Sequence, residues 1–155
     1  MSTIKKGRLG YNITENKLLR NDWDIYIPVL EDTKIDCIIL KNKYLWKIQI
    51  KTLLLDKKTN KKYLPVRKIG HNEGEYKIHH YTSDEIDFFF GIDTDTNDVY
   101  VCPISFIEKY GSSISLSTLQ PYKNNFSLLE PYNRDIISGA DDIGETLTGN
   151  TEGTR

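Results

Sequence analysis

Apolar and aromatic side chains recur along residues 7–22 at Leu9, Tyr11, Ile13, Leu18 and Leu19. This imperfect helical period predicts a first helix that stops near Asn21-Asp22. Beyond it the period shortens to two. Asp24-Ile25-Tyr26-Ile27-Pro28-Val29 reads as a short strand, with Pro28 tolerable at an edge or a strand end. Residues 34–40 and 44–52 read as two longer strands, and Lys41-Asn42-Lys43 between them is short enough for an antiparallel hairpin. In the second of these strands Trp46, Ile48 and Ile50 alternate with Lys47, Gln49 and Lys51. One face is therefore apolar, and Gln49 and Lys51 share the other.

Further along, residues 63–81 contain a hairpin pattern turning through His71-Asn72-Glu73-Gly74, and residues 86–92 and 99–104 form two more apolar strands. Asp93-Thr94-Asp95-Thr96-Asn97-Asp98 separates the latter two with the spacing that opens a calcium loop. Asp98 stands where that loop needs glycine and the distal glutamate is missing, so a plain hairpin turn is expected. Residues 104–110 read as a short helix ending at Gly111, and the Ser-rich stretch after it suits strand and loop equally. From Ser138 onward few large apolar groups remain. The expectation is a folded domain over residues 1–137 and a polar, acidic tail over 138–155, weakly ordered or packed on a partner.

A length of 155 residues suits one compact domain, and 38% hydrophobic with 28% charged residues argues against a disordered or a membrane chain. The first residues lack the apolar stretch of a secretory signal. A cytoplasmic setting is therefore expected, with Cys37 and Cys102 as reduced thiols and the triplets at Asn12 and Asn125 as chance glycosylation matches. The formal net charge of -1 hides an asymmetry: residues 41–80 carry eleven lysines and arginines against three acids, whereas residues 127–155 carry six acids against two arginines. Such a basic stripe is the electrostatic footprint of nucleic-acid binding. A charge run of this kind also suits a plain solvated face; read as a nucleic-acid surface, it nominates Lys57, Lys58, Lys61, Lys62, Arg67 and Lys68 as contacts, several of them to phosphate alone. Tyr63, Tyr76 and Tyr81 interleave with them. There is no nucleophile elbow, no Gly-rich phosphate loop and no zinc-type cysteine spacing, and of His79-His80 on a strand only one can face a site.

Candidate chemistry centres on Asp36, an acid among aliphatic residues in Lys34-Ile35-Asp36-Cys37-Ile38-Ile39-Leu40, followed thirteen residues later by Gln49-Ile50-Lys51. An acid there is costly unless it is paired or binds a metal. A hairpin that brings Asp36 near Gln49 and Lys51 assembles a carboxylate, an amide oxygen, the Ile50 carbonyl and an ammonium. The oxygens suit Mg²⁺, and the ammonium suits an attacking water or the charge building on phosphorus.

Five further stretches complete a pattern: Lys6-Gly7-Arg8-Leu9-Gly10, Ile27-Pro28, Ile48-Gln49-Ile50-Lys51-Thr52, Glu85-Ile86-Asp87-Phe88-Phe89-Phe90 and Val99-Tyr100-Val101-Cys102-Pro103-Ile104. Together with Ile35-Asp36 they resemble the PD-(D/E)XK nuclease superfamily, and within it the branch of cyanobacterial group I intron-encoded homing endonucleases. The resemblance implies an α/β, restriction-endonuclease-like core whose central mixed sheet is flanked by helices, with the metal site at the sheet edge. It also implies site-specific, Mg²⁺-dependent hydrolysis of double-stranded DNA. Asp36, Gln49 and the Ile50 carbonyl would hold the metal, and Lys51 would orient or activate water. A chain this small needs more than one copy to read a long site and cut both strands, so a homodimer or homotetramer is implied. Relatives commonly carry a glutamate just after the Lys-Gly-Xaa-Xaa-Gly stretch. Here that position is Tyr11, and Glu15, one turn on, becomes the substitute candidate. Two alternatives stay open: a Holliday-junction-resolvase-like nuclease with the same residues, and a catalytically inactive DNA-binding module.

Overall fold

Ser2 sets where the first helix begins. Its side chain accepts the Lys5 amide at 3.4 Å, so in this computed structural model α1 runs over Thr3–Arg20, starting ahead of the apolar period at residue 7. The helix ends where expected, with Asn21 as its cap and Asp22 at a φ of 61°. The structure describes residues 1–30, 33–72 and 75–131. Among them the strands are β1 (Asp24–Tyr26), β2 (Cys37–Lys41), β3 (Tyr44–Thr52), β4 (Leu54–Asp56), β5 (Lys61–Pro65), β6 (Arg67–Asn72), β7 (Glu75–His80), β8 (Phe88–Asp93), β9 (Asp98–Pro103) and β10 (Ser113–Ser115). Two short helices, α2 (Ile104–Ile107) and α3 (Leu116–Leu119), follow β9 and β10.

The central sheet has the order β1-β2-β3-β8-β9, with β3 and β8 parallel and the other neighbours antiparallel, so it is mixed as expected. β2 and β3 are joined by a two-residue turn in which Asn42 carries the left-handed φ of 53°. Crossing from β3 to the parallel β8 requires a long connection. That connection holds β4 to β7.

Both faces of the sheet are covered, by different means. On one face α1 lays Gly10, Thr14 and Leu18 toward the sheet, with Gly10 against Thr52 and Ile92. By alternation and register Ile48, Ile50, Phe90, Ile92, Cys37 and Ile39 share that face. The opposite face is not helix-covered in the way the α1 face is. Leu53, Phe89, Tyr100 and Cys102 pack there with Leu64, Val66, Tyr81, Ile86, Ile104, Ile107, Ile114 and Leu119, drawn from the three-stranded sheet β10-β5-β4, the short helices and the loops.

Several boundaries differ from the sequence pattern for identifiable reasons. β1 is only three residues long, so Ile27-Pro28 lie outside it. β2 begins at Cys37, placing Asp36 at the strand entrance rather than its centre, although the Asp36 amide still donates to Ile48 O at 2.8 Å. The hairpin expected over 63–81 is two things. Residues 61–65 pair with β4 and β10, Val66 is buried at the junction, and only β6 and β7 form the hairpin ribbon, whose turn residues 73 and 74 lie outside the described residues. The Ser-rich stretch resolves into β10 and α3. The Asp93–Asp98 segment is a hairpin turn with Asn97 at φ 63°, as expected.

Chain contacts define one unit over Met1–Asn125 and a second from Phe126, in which the described part includes a 3-10 turn, Phe126–Leu129. The expected boundary at 137/138 and the acidic tail lie outside the described residues. Among the described residues no helix is long and apolar enough to cross a membrane.

At Gly10 the backbone of α1 comes close to the sheet. A Cβ there would lie 2.5 Å from Thr52 Cγ2, a β-branched side chain with little room to turn. Gly7, on the same helix, has nothing within 4 Å of its Cβ position. Gly7→Ala is expected to raise stability by about 0.5–1 kcal/mol through helix propensity. Gly10→Ala is expected to lose about 1–3 kcal/mol through overpacking despite the same propensity gain. Paired thermal melts check both signs.

Candidate functional site

The β2–β3 register decides the site. Cys37 pairs with Ile48, so one step outward Asp36 lies directly across from Gln49, on the face turned away from α1. Asp36 Oδ2 accepts the Ile50 amide at 2.6 Å and Gln49 Nε2 at 2.5 Å, while Gln49 Nε2 also approaches the Ile50 carbonyl at 3.2 Å. β1 stops at the Tyr26–Ile38 pair, so Asp36 stands beyond the end of β1 at the sheet margin. The carboxylate is half-buried, and Gln49 is 7% exposed.

Lys51 points to the same face two residues along. Its Nζ donates to the Arg67 carbonyl at 3.0 Å and sits 5.6 Å from the centre of the Tyr81 ring. Burial raises the Asp36 pKa, against the opposing pull of the Ile50 amide, Lys51, Gln49 and Lys68. Burial lowers the Lys51 pKa, with Asp36 opposing and Lys68 assisting. Tyr81, packed edge-on to Phe89, is pushed up to about 12 by burial and then by the charges of Asp36 and Glu85. Burial is the largest cause of all three shifts.

Asp36, Gln49, Ile50 and Lys51 thus converge. Glu15 does not join their hydrogen bonds: it is half-buried on α1, where its charge raises the pKa of Tyr11 and Cys37. Tyr11 is the more telling helix residue. Its hydroxyl is buried without a hydrogen-bond partner among the described residues, and its pKa is pushed up to about 12 by burial first and then by Cys37, Glu15 and, more weakly, Asp36. Cys37 and Cys102 are buried free thiols.

The basic candidates divide. Lys57 and Lys58 lie exposed in the β4–β5 turn and Lys61 is exposed at the start of β5, where Asp56 accepts the Lys58 amide and the Thr59 hydroxyl. Lys62 is occupied: its Nζ lies 2.7 Å from Asp93 Oδ1 and 2.7 Å from Asp95 Oδ2, and the Asp93 side chain is only 5% exposed. Arg67 and Lys68 begin the ribbon beside Lys51. Sequence reasoning counted Lys68 among the basic stripe but missed that it and Tyr81 neighbour the Asp36 cluster. The expected hairpin over 63–81 was the available signal, and the contact of its Arg67 carbonyl with Lys51 was not.

A hard cation needs oxygen donors, and the donor set is tested by Gln49. Two acceptors, Asp36 Oδ2 and the Ile50 carbonyl, converge on the Gln49 amide nitrogen, and turning that amide over replaces the nitrogen with Oε1 and leaves three oxygens around one point. The set fits Mg²⁺. Among the described residues no group of three His, Cys, Asp or Glu could hold a metal, and in this donor set the carboxylate is that of Asp36.

The family described as PD-(D/E)XK endonuclease matches residues 1–132. The chain belongs to the PD-(D/E)XK endonuclease family. Among solved structures it resembles a bacterial homing endonuclease, I-Ssp6803I, with a TM-score of 0.72 at 22% identity, covering 91% of this chain and 97% of the other. No curated protein matches the chain. The likeness confirms the expected restriction-endonuclease-like α/β core with its mixed sheet.

Because the folded-state pKa of Asp36 lies above its ordinary value, the ionised form costs this PD-(D/E)XK fold stability at every pH above the carboxylate range. That cost vanishes as pH falls through the range. Asp36→Asn keeps an oxygen for the Ile50 and Gln49 donors and removes the charge. It is expected to raise the melting temperature at neutral pH, with the gain shrinking toward acid pH. Identical melts across the pH series would contradict a dominant burial penalty.

Proposed function

We propose that this chain is a site-specific endonuclease that hydrolyses phosphodiester bonds of double-stranded DNA with Mg²⁺, acting as a homing endonuclease in a cytoplasmic setting. The observation that carries the reading is the convergence of Asp36 Oδ2, the Gln49 amide and the Ile50 carbonyl beside the Lys51 ammonium. The family membership and the homing endonuclease neighbour support it.

Asp36, Gln49 Oε1 and the Ile50 carbonyl would hold the divalent ion, which when bound supplies Lewis-acid charge to the phosphate. Lys51 is fixed from two sides, by the Arg67 carbonyl and the Tyr81 ring. Its ammonium donates toward the attacking water or a phosphate oxygen and stabilises the charge that builds on phosphorus. A water oxygen bonds to phosphorus and gives up one proton to solvent as the bond to the leaving sugar oxygen breaks, and the leaving oxygen takes up one proton, so the proton count is unchanged overall. Burial lowers the Lys51 pKa, which makes its proton easier to share in this transfer than that of a solvated lysine. Lys57, Lys58, Lys61, Arg67 and Lys68 supply cations for the DNA backbone, whereas Lys62 does so only by giving up Asp93 and Asp95.

Cutting both strands calls for a homodimer or homotetramer. The run Tyr26, Ile27, Val29 and Leu30 beside edge strand β1 is 55%, 62%, 97% and 74% exposed, apolar surface of the kind that subunits cover.

One observation favours a second reading, a catalytically inactive DNA-binding module: the helix position where relatives carry glutamate is Tyr11, and its buried hydroxyl has no partner among the described residues. The same assay separates the two. With supercoiled plasmids carrying candidate insertion sites, discrete linear product is expected with Mg²⁺ and not with EDTA, and Lys51→Ala should lower its rate by about a hundredfold or more. Salt-sensitive binding without any cutting would select the inactive module. A DNA affinity indifferent to salt would contradict the basic contacts.

A further inference from the structure

The β6–β7 ribbon pairs Arg67 with His80, Lys68 with His79, Ile69 with Ile78 and Gly70 with Lys77. Alternation places Lys68, Gly70, Lys77 and His79 on one face, and Arg67, Ile69, Ile78 and His80 on the other. Neither face is packed as a core: Ile69 and Ile78 are half exposed, and Lys68, Lys77 and His79 are exposed.

Gly70 is the unexplained residue. Glycine weakens the interior of a strand, and it is usually retained for a left-handed φ, for tight internal packing, or for something that approaches from outside. Its φ is not left-handed, which removes the first reason. A Cβ there would meet nothing nearer than the Lys77 carbonyl oxygen at 3.8 Å and His79 Cδ2 at 4.0 Å, which removes the second. The third remains.

Charge and position say what approaches. The face around Gly70 carries Lys68 and Lys77, cations suited to phosphates and to the acceptor edge of guanine. The foot of the ribbon adjoins the hydrolytic site, since the Arg67 carbonyl accepts the Lys51 Nζ and the Lys68 charge acts on both Asp36 and Lys51. A duplex lying at Asp36 and Lys51 therefore presents its groove to this face, and Arg67, at the foot of the isoleucine face, is left to reach phosphate alone. A two-stranded ribbon fits the B-form major groove, about 12 Å wide. The deep, narrow major groove of duplex RNA excludes it.

We propose that the Lys68–Gly70–Lys77–His79 face of the β6–β7 ribbon enters the major groove of duplex DNA beside the bond to be cut, with Gly70 as the point where the backbone comes closest to the base edges. The proposal rests on the endonuclease reading for its substrate and adds the element that reads sequence.

The test uses the full chain in EDTA, so that binding is read without cutting, and a pool of randomised DNA duplexes as the probe. Wild type is expected to enrich a sequence motif. Gly70→Val, which suits a strand and meets no atom of the ribbon closely, should bind the enriched duplex roughly tenfold or more weakly while keeping salt-dependent binding to unrelated duplexes. Ile69→Ser should bind as wild type does, and duplex RNA should not compete. If Gly70→Val melts early, Gly70→Ala is judged by the same criteria. The proposal falls if the glycine variants enrich the same motif with wild-type affinity, if Ile69→Ser carries the loss, if duplex RNA competes equally, or if no motif is enriched. A chain that enriches a Gly70-dependent motif yet never cuts with Mg²⁺ retains the ribbon and loses the nuclease. One that cuts site-specifically whatever stands at position 70 retains the nuclease and loses the ribbon.

Discussion

A carboxylate held half out of water is the constraint on which the local architecture turns. Asp36 gains nothing from burial alone, so its surroundings are arranged to return what the solvent gave: the Ile50 amide, the Gln49 amide group and the fields of Lys51 and Lys68. Apart from the field of Lys68, each depends on the pairing of β2 with β3, because a slip of one residue would separate Asp36 from Gln49 and Lys51 across the sheet. The same register sets Ile48 and Ile50 against the helix. Fold and site are thus specified by one alignment of two strands.

Both faces of β3 are covered, and the polar site at the sheet margin is sheltered by that cover. On the α1 side the contact is close enough that only Gly10 fits at the crossing. On the other side Tyr81, Phe89 and the layer from β5, β10 and the short helices shelter Lys51 while leaving the margin at Asp36 open where β1 ends. Shelter lowers the effective dielectric around the ammonium and the carboxylate, so each feels the other more strongly than exposed groups would.

What was legible in the sequence is what local periodicity and pairing control. The alternation in residues 44–52, the hairpin at Asn42 and the opposition of Asp36 and Gln49 all follow from period two and a short turn. The start of α1 was not legible from apolar spacing because a hydroxyl, that of Ser2, decides it. The division of residues 61–80 between a strand anchored in the core at Leu64 and a separate ribbon depends on Val66 and on β10, about fifty residues further along the chain. Lys62 looked like its neighbours in the basic stripe. Only the β8–β9 turn, roughly thirty residues on, brings Asp93 and Asp95 to it, and no local pattern carries that information. Lys51 was identified by type, but the carbonyl that holds it belongs to Arg67, across a separate sheet.

That hydrogen bond from Lys51 to the Arg67 carbonyl joins a strand of the rigid central sheet to the foot of a ribbon built almost wholly from its own two strands. Val66 and Tyr81, both buried, flank that foot on its two strands, so the acceptor carbonyl is held by the core whatever the far end of the ribbon meets. The ammonium is therefore aimed before any ligand arrives, and little of its ordering has to be done at the moment of binding.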